Sequence, residues 1–570
     1  MEARTMVLAA RPQGGGRARA TKAGLATLLA LLLIAASAVL PGAASAQGAE
    51  IEVTTAEDGS LTDPDVACPA GDGEVCTLRA AVGAAGDGDI VVFAEGVDPV
   101  LSQAIAIATA VTVRGHEAAD GGPGTTISGD DTADEGYNDR LFAIEGGGDL
   151  TLENVVLTGG DLQGSGTRGG AVWNLGSLQA INARFVDNTV GSTGGAIAND
   201  GGTVTITGSS FTDNSAGSFG GAIANRDGSL AISGSSFAGN TAAVGGALQN
   251  SGQDAHADVI IRRSVFNDNT ASSIGGAIDN QSESARELGA PTEYRGRVEI
   301  VGSTLTDNTA MLGGAISNWI SFPELRIVGS TLAGNAAVAS RGFGGQGGGL
   351  YIDQGIADIR NATFSGNTAE LEGGAIFNSG ASSELELTHV TVVGNQAPEA
   401  GGVFQQGDFF ATYTEQVEDG TGEAHFNHTL LADNAGGDCG GSESSVTGTV
   451  TVSSAGYNLD SDGTCVALLD DPSDATVDDA MLGDLADNGG PTMTHLPLEG
   501  SPAINGGLNP TCLVDVDQRG EPRPAPDSGA CDIGAVEVQP VVDEEPGDEP
   551  EELEEAEPAE PVEAEPTYTG

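Results

Sequence analysis

The sequence predicts an all-β chain built around a right-handed parallel β-helix of about three short strands per coil, with a short N-terminal cap helix and a disulfide-containing C-terminal segment. Two phrases alternate between Gly169 and Asn434 and carry most of that prediction. One is G-G-A-[IVL]-x-N, as in Gly194 to Asn199 and Gly220 to Asn225. The other is [FLV]-x-x-N, which ends on Asn188, Asn214, Asn240, Asn269, Asn308, Asn335, Asn367, Asn395 and Asn434. Phe185, Phe211 and Phe237 open successive copies at an equal spacing, and a fixed period in this range means stacked repeats. Composition agrees: Gly supplies 88 of 570 residues and aromatics only 4%, which suits a turn-rich β solenoid better than helical or α/β domains.

Residues 1–46 read as a secretory leader. Arg4, Arg11, Arg17, Arg19 and Lys22 form a positive region, Leu25 to Leu40 an apolar core, and Ala44-Ser45-Ala46 a small-residue cleavage site. A secreted or extracellular location follows, with a retained anchor as the bland alternative and no transmembrane span in the mature chain. Formal charge is −61; without the leader, 16 Arg face 81 acids. Such a surface repels nucleic acid and anionic lipid.

Six cysteines in an exported chain suggest bridges, and proximity pairs Cys68 with Cys76, Cys439 with Cys465, and Cys512 with Cys531, among fifteen connectivities. Residues 47–89 hold Ile51-Glu52-Val53 and then a helix-compatible run from Cys76 to about Ala85, placed to cap an open solenoid end. Cys76, Leu78, Arg79 and Ala81 resemble the CSLREA domain found at the front of exported bacterial β-helix proteins, with Ala80 where that pattern has Glu.

Residues 90–436 form the predicted β-helix. Short alternating runs such as Ile90 to Phe93 and Leu150 to Leu157 lead into the ladder. Within it, Phe185, Phe211, Phe237 and Phe266 are expected to stack inside as one row. The following Asn is expected to donate its amide to one coil and accept from another, while the paired glycines suit a tight corner. The two phrases together resemble the polymorphic outer-membrane-protein repeat, which implies the fold; that repeat is shared by adhesins and by proteins of unknown role. Insertions at Gln281 to Tyr294 and Phe410 to Glu423, and the Gly-rich run Arg341 to Gly349, break the beat and are expected to project as loops.

Residues 437–540 form a C-terminal β region. Its part from 482 to 537 carries L-A-D-N-G-G-P-T-x-T-H, G-S-P-A-I-N, D-Q-R-G-x-x-R-P and C-D-I-G-A-V-E, and resembles the choice-of-anchor Q domain of exported proteins. Residues 541–570 are a Pro/Glu tail that cannot bury a core and is expected to be disordered.

Site chemistry is sparse. Arg262, Arg263, Arg295 and Arg297 flank the first insertion and are the densest positive charge of the mature chain, able to hold an anionic sugar or simply to pair with acids. Asp460-Ser461-Asp462-Gly463 resembles half of a calcium loop without its third ligand or distal Glu, so Ca²⁺ through Asp460 and Asp462 is the one metal to consider; no other cofactor is expected. Asp187, Asp213, Asp268 and Asp307 precede ladder asparagines, where paired acids could hydrolyse glycosides but more simply favour a bend. The expectation is therefore a non-catalytic, adhesin-like surface protein that displays loops to a glycan or protein, with catalytic residues: none. The alternative is a pectin-type polysaccharide lyase or glycoside hydrolase on the same rod, although the G-H-G and R-I-K phrases of such hydrolases are missing and no mature lysine is available as a base.

Overall fold

Residues 203–226 show how one coil closes. Val204 and Ile206 point inward from Thr203–Thr207, Phe211 from Ser210–Thr212, and Ile223 and Asn225 from Ile223–Arg226, with the two-residue strand Ser215–Ala216 between. No piece is long enough to bury a core alone, so each pairs in parallel with its counterpart one coil on, as Thr203 does with Ser229 and Phe211 with Phe237. The computed structural model describes residues 48–59, 68, 75–129, 139–253, 255–282, 296–380, 383–406, 422–442, 451–469, 471–507, 512–525 and 529–540. The leader, Arg295, most of both insertions and the acidic tail lie outside the described residues.

Stacking of the coils produces a right-handed parallel β-helix with four sheets. In coil order, the first runs from Glu50–Val53 to Thr451–Ser454 in fourteen strands and the second from Val100–Leu101 to Ala475–Thr476, also in fourteen. The third has eight short strands from Asp161–Leu162 to Thr368–Ala369, and the fourth has twelve from Ile105–Ile107 to Cys439–Ser442. The third sheet is an addition to the three strands per coil expected: its members are mostly two residues long, too short for an alternating pattern to register. Coils also extend on both sides of 90–436, because Glu50–Val53 pairs with Asp89–Phe93 and Cys439–Ser442 with Val403–Gln406.

The single described helix, Leu78–Ala84, packs against the first coil and is N-capped by Thr77, which accepts from the Ala80 amide at 3.2 Å. Arg79 grips both Asp58 oxygens at 2.7 Å and donates to the Ala104 carbonyl, tying the cap to the coil edge. Burial opposes charge on Asp58, but hydrogen bonds from Arg79 and Ser102 outweigh it and hold the carboxyl below its usual range.

Inside, Phe185, Phe211, Phe237 and Phe266 stack with centroids 4.5, 4.7 and 4.5 Å apart and no exposure. Beside them runs the Asn column. Asn188 donates to Asn214 and Asn214 to Asn240, each at 3.0 Å, and the column continues through Asn269, Asn308, Asn335, Asn367 and Asn395 to Asn434. It ends on a carboxylate: Asn434 donates to Asp438 at 2.7 Å, whose other oxygen accepts from Ser461. A second column joins Asn174, Asn199, Asn225, Asn250, Asn280 and Asn318. A third, of serine hydroxyls, runs through Ser209, Ser235, Ser264, Ser303 and Ser330, each accepting from the amide of its predecessor in the row.

The corners explain the glycines. Gly194 has φ +71°, and a Cβ on Gly195 would lie 1.9 Å from the Gly221 carbonyl of the next coil.

After Ala475–Thr476 the chain doubles back over the second sheet. Thr331, Thr363 and Thr391, which face outward on that sheet, are 0%, 0% and 3% exposed because this segment covers them. Thr331 donates to the Met493 carbonyl, Thr363 to Gln518, and Thr391 accepts from the Ala535 amide. The D-Q-R-G and C-D-I-G-A-V-E phrases thereby acquire structural roles. Gln518 clamps Thr331, Thr363 and Thr492, while Arg523 and Glu537 form a fully buried pair at 3.0 Å, with Arg523 also bonding the Asp532 and Gly534 carbonyls. Pairings Cys68–Cys76, Cys439–Cys465 and Cys512–Cys531 are present, with Cα separations of 5.2, 4.9 and 5.8 Å.

Candidate functional site

Because the recurring inward residues are consumed by packing, ligand chemistry falls to the outward faces. On the first sheet, coil register places arginines opposite acids. Arg297 lies 3.7 Å from Asp258 and 3.3 Å from Glu324; Arg262 lies 3.9 Å from Glu299, which also meets Arg326 at 3.3 Å. Two of the four nominated arginines are thus inter-coil ties of the exposed kind, worth about 0–1 kcal/mol each. The structure does not bring them into one site, and Arg295 lies outside the described residues.

Arg263 differs. It occupies the turn between the first and second sheets at φ +48° and, among the described residues, has no carboxylate partner. With Arg184 it borders a shallow groove of about 360 Å³, lined also by Asn182, Ser210, Ser236 and Val265. Among the described residues the carboxylate partner of Arg184 is Asp120, 3.9 Å away, with both side chains well exposed. Arg184, Ser210, Ser236 and Val265 form one register row. Downstream the same row becomes Thr304 and then Thr331, where the C-terminal segment covers it; Pro491 of that segment sits against Gly302, next to Arg263. The groove is therefore the uncovered part of a face whose other part is already occupied. Arg184 was not nominated from sequence, since only the coil register places it on the same groove as Arg263.

The acids before the ladder asparagines are turn formers. Asp187, Asp213, Asp268, Asp307 and Asp433 have φ between +54° and +57°, and Gly239, Gly334, Gly366 and Gly394 hold the same position at +63° to +67°. Burial and the neighbouring Asp268 push the Asp307 pKa up.

Asp460 and Asp462 are both near the ladder end but serve backbone donors. Asp460 Oδ2 accepts from the Cys465 and Val466 amides, and Asp462 accepts from Thr464 and from the Asp438 amide. Among the described residues no group of three or more His, Cys, Asp or Glu is placed to hold a metal. His425 and His428, three residues apart in sequence, also do not converge: His425 meets Ser453 and His428 meets Asn427.

Near the N-terminal end, Asp200 accepts from Arg168 at 2.6 Å, Trp173 Nε1 at 2.7 Å and Arg226 at 3.0 Å, and Arg140 lies over the Trp173 ring. This network was not read from sequence; its one signal was a tryptophan, one of two in the chain.

These features define a parallel β-helix rod with a basic groove on one flank. The Chlamydia polymorphic membrane protein repeat matches at residues 208–226, 263–281 and 361–379, so the chain carries repeats of that kind. No curated protein matches the chain. Among solved structures it is similar to the catalytic domain of a GH87 alpha-1,3-glucanase in complex with tetrasaccharides, at 10% identity and TM-score 0.38, covering 73% of this chain and 70% of that one. It is also similar to pectate lyase Pel9A, at 12% identity and TM-score 0.32, covering 86% and 96%, and to a rhamnogalacturonan lyase, at 12% and 0.30, covering 79% and 96%. The architecture rests on the strand pairing; at these values the likenesses carry nothing about activity. Among the described residues no helix is long and apolar enough to cross a membrane.

Proposed function

We propose that this is an exported, cell-surface or extracellular β-helix protein, a rigid display rod that binds glycan or protein on its outer face without catalysis. The polymorphic membrane protein repeats support a surface setting, and the leader-like residues 1–46 support export. The observation that carries the non-catalytic reading is the Asp column. Four of its positions are glycine, at the same left-handed turn, so the row is selected for a bend and not for a carboxylate. The test is incubation of the full chain with polyuronates and neutral polysaccharides, with and without calcium, followed by reducing-end and unsaturated-product assays. Binding without product is expected; turnover of any of them would replace this reading with a lyase or hydrolase.

A further inference from the structure

We infer that the groove between Arg184 and Arg263 binds a polysaccharide carrying carboxylates spaced along an otherwise hydroxylated chain; this rests on the surface-binding reading above. In a chain where acids outnumber arginines several-fold, among the described residues Arg263 meets none and Arg184 meets only an exposed Asp120 at 3.9 Å. Guanidinium groups left uncompensated in such a field favour an external carboxylate, which their forked donors bind in two-pronged fashion.

The row between them sets the ligand's form. Ser210 and Ser236 stand on the two intervening coils, so a hydroxyl recurs every ~4.8 Å, on the order of one sugar ring. Three coil steps separate Arg184 from the Arg263 turn, roughly 14 Å along the axis. An open, shallow groove suits an extended polymer better than a small enclosed molecule. Charge density is limited from the other side. A net −61 repels a densely anionic strand such as nucleic acid at long range, so the ligand's charges must be sparse enough for two local cations to prevail. Downstream, the same row already accepts a hydrogen-bonding chain through the hydroxyls of Thr331 and Thr363, which shows that this face can be lined by an extended partner.

The test measures binding of the full chain to hyaluronan oligosaccharides, where uronate alternates with an uncharged sugar, against polygalacturonate and dextran, by calorimetry at low and physiological salt. The comparison uses Arg184→Gln with Arg263→Asn, since Asn tolerates the left-handed turn. Hyaluronan is expected to bind best, to weaken with salt, and to lose about tenfold or more in affinity in the double variant, whose unfolding midpoint stays unchanged. Dextran binding as well as hyaluronan, no measurable hyaluronan binding, or a double variant binding like the parent would overturn the groove assignment. In those cases, retained attachment to other glycans or proteins would leave the display reading standing. Cleavage of the bound polymer would overturn the display reading itself.

Discussion

Asn214 donates its side-chain amide to Asn240 Oδ1 at 3.0 Å and to the Phe185 carbonyl at 2.9 Å, while its own oxygen accepts from Asn188. One side chain thus serves three coils. Asn240→Ala would remove the acceptor for one hydrogen of the Asn214 side-chain amide and for the Asn214 backbone N–H, and the side-chain donor to the Phe211 carbonyl. A loss of about 2–4 kcal/mol is expected, read by urea unfolding with an unchanged slope.

Phe211 has a stacked ring on each side and no exposure. Phe211→Ala should cost about 3–5 kcal/mol through the cavity it leaves. Phe211→Leu should cost less than half of that, because Leu305 and Leu332 fill the same row in later coils. Equal costs would mean that the row tolerates no aliphatic replacement.

How much of this was legible in sequence depended on how each signal is encoded. The Phe row and the first Asn column were visible because their residues recur at the coil period, and the disulfides because partners lie close in the chain. The second column, Asn174 to Asn318, recurs just as regularly at the end of the glycine phrase, but a tight glycine corner already accounts for that phrase, so the amide's own hydrogen bonding leaves no separate signal. The serine column was hidden by residue type, since serine before an apolar residue is common in any turn. Pairing of Arg297 with Asp258 and Glu324, and the placement of Arg184 and Arg263 along one groove, require knowing which residues face each other across coils. Docking of 482–537 was invisible for a different reason: Thr331, Thr363 and Thr391 look like ordinary outward strand residues until a distant segment covers them.

Gln518 is the hub of that docking, receiving the Thr363 hydroxyl at 2.7 Å and donating to Thr331 and Thr492 at 2.9 Å each. Gln518→Ala should weaken the attachment by about 1–3 kcal/mol while the coils stay folded. Hydrogen exchange should speed up in 482–537 and leave protection at Phe211 and Asn214 as it was.

Acid should loosen the same attachment. His389 and His428 lie under it with rings 4.7 Å apart, near Arg523. Burial first, and then Arg523, draws the His428 pKa from 6.5 down to about 4, and burial draws His389 well below its ordinary value. As pH falls from 6.5 towards 4, the two histidines take up protons when the segment is detached that they refuse while it covers them, so the attachment weakens across that window. Asp532 and Glu537, raised by burial, act in the opposite sense, contributing at low pH and losing it as pH rises. His428→Asn isolates the imidazole, because Asn361 already holds this left-handed column. The variant should lose less midpoint temperature between pH 6.5 and pH 4 than the parent does.

The central claim is that the repeat is a structural module whose recurring residues build the stack. Deleting residues 208–233 removes one complete coil, joins Thr207 to Gly234, and lets Phe185 meet Phe237 and Asn188 meet Asn240. Deleting 208–220 instead removes the Phe211 strand and Asn214 but keeps Ile223–Arg226, leaving one coil with no strand for the Phe row and no member of the Asn column. Circular dichroism with thermal unfolding should show a cooperative β transition within a few degrees of the parent for the first deletion and its loss for the second. If both deletions unfold alike, whether both folded or both collapsed, the repeat is not the module described.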